Sequence, residues 1–227
     1  MDYIMKKFIT VLIIFALIFT MLSCFSCTNQ SIDSSIVSIG LNHTLIIKND
    51  SSLWTWGDNS RGQLGNGSTS NKLTPVKIME EVKSVCAGSN HSLAIKDDGT
   101  LWAWGGNSKG QLGDGTTENK SKPVQIMEDV VAIAAGENYS FAIQNDGSLW
   151  AWGNNESGQL GDGTTANKST PVKILDDVKL VSTGTNYNLA IKKDGSLWVW
   201  GENLKGKLGD GTTENRTTPV QIMDGVN

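Results

Sequence analysis

The sequence predicts an all-β fold, a β-propeller of four-stranded blades with four 48-residue repeats present. Three observations lead there. Trp54, Trp102, Trp150 and Trp198 lie 48 residues apart, and each opens a Trp-x-Trp-Gly tetrapeptide. Downstream of each, a Gly-x-Leu-Gly block recurs at Gly62, Gly110, Gly158 and Gly206, with no insertion breaking the phase. The 25 glycines among 227 residues supply the tight turns that many short strands need. Self-similarity at a fixed period of this length is the mark of a repeat architecture.

The second unit shows the grammar. Val82 to Ala87 is a short apolar run that stops at Gly88, and it reads as a first strand. Ser92 to Ile95 reads as a second, ended by Asp97-Asp98-Gly99. Asp-Gly favours the positive φ angles of a tight hairpin, so Leu101 to Trp104 should fold back antiparallel as the third. Asn145-Asp146-Gly147 and Lys193-Asp194-Gly195 repeat that turn, whereas Asn49-Asp50-Ser51-Ser52 lacks the Gly and is expected to be looser. A Gly-rich excursion leads to Pro123, which is expected to open a fourth strand, Val124 to Met127, because Pro at a strand start removes no ladder donor. Leu93-Ala94-Ile95 and Leu101 to Trp104 are apolar on both faces, as in a sheet sandwiched between two others. Radial stacking of such sheets gives a propeller. The units run from about 36–83, 84–131, 132–179 and 180–227.

Residues 1–27 read as an export signal rather than as part of the fold. Lys6 and Lys7 precede the apolar run Phe8 to Leu22, which is short for a membrane-spanning helix. Ser23-Cys24 resembles a bacterial lipoprotein processing site, with Cys27 as the alternative acylation point. Met21 stands where Leu is usual, so plain secretion or an uncleaved anchor stay open. The expectation is an extracytoplasmic, membrane-anchored lipoprotein on a polar linker, residues 28–35. Past that linker Cys86 is the one cysteine, read as a buried, inert thiol in Val85-Cys86-Ala87. A net charge of −4 disfavours non-specific binding to nucleic acid. No cofactor or metal is implied, since no Cys/His cluster has ligand spacing.

Several residues recur in every copy. Each unit starts with Gly-x-Asn-His or Gly-x-Asn-Tyr, at His43, His91, Tyr139 and Tyr187. Asn59, Asn107, Asn155 and Asn203 follow each Trp-Gly pair. With the Asp-Gly hairpin and the Gly-Gln-Leu-Gly block, these residues resemble the regulator of chromosome condensation repeat family. The resemblance covers Ile36 to the C-terminus and implies a β-propeller, commonly of seven blades. Only four units are present here, and Asp224 to Asn227 stop in phase with the start of a fifth. A fragment of a longer ring, a ring completed by self-association and an open arc all fit that count. The family's exchange-factor activity on a small nuclear GTPase does not carry over, because the loops it needs are not identifiable. Similarity to extracytoplasmic bacterial members, which include a protein inhibitor of β-lactamase, implies protein binding instead.

A slot that takes His or Tyr reads as an aromatic body with one polar tip aimed at a fixed partner. The Trp pairs point to one side of their strand and read chiefly as packing between blades, with a solvent-facing, sugar-stacking ring as the alternative. Asp114, Asp162 and Asp210, with Asn66 in the first copy, lack the closely spaced oxygens of a calcium loop and read as turn stabilisers. Gly110 to Gly115 is followed by neither Lys-Ser/Thr nor a helix, so it is not a phosphate loop. No nucleophile–base pair recurs, and the chain is read as non-enzymatic. Residues 100–127 and 148–175 share 20 of 28 positions, and the differences gather in loops. That pattern suits a rigid platform with a variable rim. Arg61, Lys109, Glu156 and Lys205 are the candidate rim. The expected partner is an unidentified protein, with carbohydrate or cell wall as the alternative.

Overall fold

The computed structural model describes residues 36–226. The signal segment, Cys24, Cys27 and the linker lie outside the described residues. Among the described residues sixteen strands form four separate four-stranded antiparallel sheets, each from consecutive strands. Blade one comprises β1 (Val37–Ile39), β2 (His43–Ile47), β3 (Leu53–Gly57) and β4 (Lys72–Met79). Blade two comprises β5 (Val82–Ala87), β6 (His91–Lys96), β7 (Leu101–Gly105) and β8 (Lys120–Met127). Blade three comprises β9 (Val130–Ala135), β10 (Tyr139–Gln144), β11 (Leu149–Gly153) and β12 (Lys168–Leu175). Blade four comprises β13 (Val178–Thr183), β14 (Tyr187–Lys192), β15 (Leu197–Gly201) and β16 (Arg216–Met223). The first strands β5, β9 and β13 begin two residues ahead of the repeat phase drawn at 84, 132 and 180.

The absence of alternation has a direct cause. Between blades two and three, Leu93, Ile95, Leu101 and Ala103 pack against Val130, Ile133, Ala142 and Trp152. Ala94 and Trp104, on the opposite face of the same strands, pack against Leu45, Ile47 and Leu53 of blade one. Blade two therefore buries odd and even positions against different neighbours. Blades three and four repeat the arrangement, with Trp200 seated among Phe141, Leu149 and Leu160. First strands touch first strands of the next blade, while the fourth strands form the exposed outer edge. In blades two to four both Trp side chains of a pair face the preceding blade, on one side of the strand as expected.

Two local expectations change. The hairpin is not a two-residue turn: Lys96 N donates to Thr100 O and Gly99 N to Lys96 O, leaving three loop residues, of which only Gly99 has positive φ. This is a type I turn closed by a left-handed residue. The first copy makes the same bonds, with Ser51 held at φ 60 in the glycine position, so its turn is no looser. The fourth strands start earlier than Pro allows in a regular ladder. Pro123 lies inside β8, opposite a register shift between Ala103 and Gly105. An outer edge strand with a bulge tolerates it, since its N–H side has no partner to lose. Cys86, fully buried in β5, is disulfide-bonded rather than an inert thiol.

Candidate binding rim and the contacts that hold it

The long β3–β4, β7–β8, β11–β12 and β15–β16 loops gather at one end of the blades with the turns before β2, β6, β10 and β14. Asp58 N donates to Asn42 O, and Gly106 N to Asn90 O, joining the two sets. Each loop is wound around one fully buried Asn. Asn107 Oδ1 accepts from Leu112 N, and its Nδ2 donates towards Asp114 and the carbonyls of Thr116 and Glu118. Asn59, Asn155 and Asn203 make equivalent bonds. A buried amide with its donors and acceptor all used is expensive to move, so the loops are held as rigid bodies. Asp114 braces the same turn through Thr116 and sits 3.4 Å from Lys120. Burial alone would raise its pKa, but the Thr116 and Asn107 bonds and the Lys120 charge hold it below the usual range. Asp162 and Asp210 do the same beside Lys168 and Arg216. Among the described residues no group of three or more His, Cys, Asp or Glu could hold a metal ion.

The rim residues do not form one uniform ring. Lys109 Nζ lies 2.5 Å from Glu156 Oε1, so these two bridge blades two and three and are a pair rather than independent contacts. Arg61 is exposed and runs over Gly106 of the next blade. Lys205 sits in a 3-10 turn, Leu204–Gly206, with φ 66, unlike its counterparts. The cause lies two residues on. Gln63, Gln111 and Gln159 accept from the backbone N–H of Arg61, Lys109 and Ser157. Lys207 replaces that Gln, has no acceptor to offer, and pairs with Glu202 at 2.7 Å instead. The loop of blade four is left free to take a different turn.

Beneath the rim lies a lock between blades that sequence reasoning only half anticipated. His43 Nε2 is 3.0 Å from Ser92 Oγ of the next blade, and His91 Nε2 is 3.0 Å from Ser140 Oγ. Ser92 donates on to Gln63 O at 2.8 Å, so its proton is committed and His43 Nε2 is the donor. Trp104 Nε1 donates to the same Gln63 O at 2.9 Å. The next junction repeats this, with Ser140 and Trp152 both donating to Gln111 O. At the third, Tyr139 OH reaches Gly184 O and Asn188 Oδ1, while Asn188 and Trp200 donate to Gln159 O. The fixed partner expected for the aromatic slot is thus the residue 49 places on. The missed signal was pairing: Ser follows where His precedes, and Asn where Tyr does. The slot needs Gly beneath it, because a Cβ on Gly88 would lie 2.0 Å from His91 Cε1. Burial lowers the pKa of His43 to about 4 and of His91 to about 3, and the Nδ1 of each is buried without a partner.

The first Trp of each pair lies at the opposite end, half-buried. Trp102 Nε1 donates to Thr100 Oγ1, which in turn donates to Asp98, and the other three copies use Ser in that place.

Four near-identical blades joined by repeated locks define a tandem-repeat β-propeller scaffold. The RCC1-like domain model matches residues 23–227, and the chain belongs to that family. Among solved structures, yeast RCC1 (Prp20) bound to Kap60 superposes with a TM-score of 0.75 at 24% identity, over 87% of this chain and 50% of that one. Prp20p from Saccharomyces cerevisiae, studied for binding to Gsp1p and histones, gives 0.74 at 24% identity, over 87% and 52%. Human WBSCR16 gives 0.72 at 24% identity, over 82% and 52%. The chain spans about half the length of these structures.

Proposed function

We propose that this chain is a non-catalytic scaffold that binds another protein through the loop rim, displayed outside the cytoplasm on a lipid anchor at Cys24. The observation that carries the reading is the buried Asn at the heart of every loop. It fixes the backbone while residues such as Arg61, Lys109, Glu156 and Lys205 vary around it. Rigid loops lose little entropy on binding, which favours a specific partner. The family's fold commonly serves protein interactions, and the yeast RCC1 structure is a complex with Kap60. The test is affinity capture from the native envelope fraction with the chain and with an Arg61→Ala, Lys205→Ala variant. One protein should be retained by the first and lost by the second while the unfolding temperature stays unchanged. Equal retention by both would remove the rim from the proposal.

A second reading, carbohydrate binding, is favoured by the half-exposed rings of Trp54, Trp102, Trp150 and Trp198. Their fluorescence should quench on titration with oligosaccharides if it holds. An unchanged spectrum with every glycan counts against it.

A further inference from the structure

The two histidines hold successive junctions, and the next junction is held by a tyrosine. The chemical difference is that an imidazole takes up a proton in mild acid and a phenol does not. In each histidine slot Nε2–H is committed to the serine of the next blade. A second proton can enter only at Nδ1, which is buried with no hydrogen-bond partner among the described residues. The ring cannot shift towards its own turn, because it rests on Gly40 or Gly88, where a Cβ would overlap Cε1. Of the titratable groups among the described residues, Asp58 from the β3–β4 loop favours the charged ring at His43, as does the His91 backbone. At His91 the neighbouring His43 opposes the charge, and burial outweighs every other influence at both rings. A charged ring is therefore relieved by leaving its slot.

Each ring is tied to the rim along two paths. His43 closes the turn before β2, where Gly40 N donates to His43 O, and Asn42 O of that turn accepts from Asp58 N of the rim loop. Gly88, His91, Asn90 and Gly106 make the same bonds one blade on. The second path runs from His43 through Ser92 to Gln63 O, and the Gln63 side chain accepts from Arg61 N and donates to Asp58. We propose that the two histidine junctions are an acid-operated latch: protonation expels His43 and His91, and with them the turns that brace the rim loops of blades one and two, while Tyr139 keeps the rim of blade three closed. Arg61 and Lys109 lose their fixed places in acid, and the Lys109–Glu156 bridge breaks from the Lys109 side. As a control on the rim the latch rests on the binding proposed above, but its opening needs no partner.

Amide hydrogen exchange, read residue by residue at pH 7 and pH 4.5 and corrected for its intrinsic pH dependence, tests this on the purified chain. With the rings titrating at about 4 and about 3 in their slots and near 6.5 outside them, the opened form gains about fiftyfold on the closed form between the two pH values. The amides of Asp58, Arg61, Gly106 and Lys109 should therefore exchange about fiftyfold faster at pH 4.5. Those of Asn154 and Ser157, braced in the same way beside Tyr139, should keep their rates. His91→Tyr with Ser140→Asn should abolish the change at Gly106 and Lys109 and retain it at Asp58 and Arg61. If that variant loses its far-ultraviolet spectrum, the contrast between blades two and three of the unaltered chain decides. Equal quickening in blade three, no quickening in blades one and two, or a folded variant that still responds at Gly106 overturns the proposal. Failure of partner capture with this pattern of exchange intact overturns the binding reading and leaves the latch standing.

Discussion

A buried imidazole whose Nδ1 has no partner favours the neutral form, because a second proton would bury a charge without an acceptor. His43 and His91 are held below 6.5, to about 4 and about 3, by burial; Asp58 partly offsets this for His43, and the nearby His43 adds to it for His91. As pH falls, the unfolded chain takes up these protons first. The stability the two groups give is whole above about pH 6.5 and is lost as pH falls through 4, and further to 3 for His91. At about 1.4 kcal/mol for each pH unit of depression, the loss reaches several kcal/mol. Replacing His91→Tyr together with Ser140→Asn copies the Tyr139–Asn188 pair already present at the next junction. Urea midpoints measured at pH 7 and at pH 4.5 should then differ less than in the unaltered chain. An unchanged difference would mean that carboxylates alone carry the acid response. Histidine and serine had to be read as a pair across 49 residues to see this, and single positions do not reveal pairs.

At the scale of one strand or turn, the hairpin tip between β2 and β3 carries a testable strain. Ser51 adopts φ 60 in a place where the other three copies have Gly. An L-residue there costs on the order of 1 kcal/mol, partly offset because Gly loses more freedom on folding. Ser51→Gly should therefore stabilise the chain by up to about 1 kcal/mol in denaturant titration. No gain, or a loss, would show that the Asp50 bonds to the Ser52 backbone and hydroxyl already relieve the strain. The elements themselves were readable. Val82–Ala87 and Leu101–Gly105 announce themselves as apolar runs closed by Gly, and the 48-residue phase multiplies each signal by four. The fourth strand was misjudged because Pro123 hid the pairing of Lys120 with Gly105 beyond the bulge. Of the candidate rim, position was legible and geometry was not. Nothing in the sequence shows Lys109 meeting Glu156, or shows that losing the Gln acceptor at Lys207 would retune the turn at Lys205.

For the whole molecule, stability should be distributed along the row of blades rather than held in one core. Each blade buries apolar surface only against its neighbours, so the free energy is close to a sum of blade and junction contributions. Blades two and three have both faces covered, with Trp104, Trp152, Leu93 and Phe141 fully buried. Among the described residues blades one and four each pack against one neighbouring blade, and they open at lower cost. Amide hydrogen exchange on dilute protein should show β6, β7, β10 and β11 protected longest, and β1 and β16 shortest. Uniform protection across all four blades would mean instead that the molecule unfolds as a single cooperative unit, with no free energy assignable to separate blades and junctions.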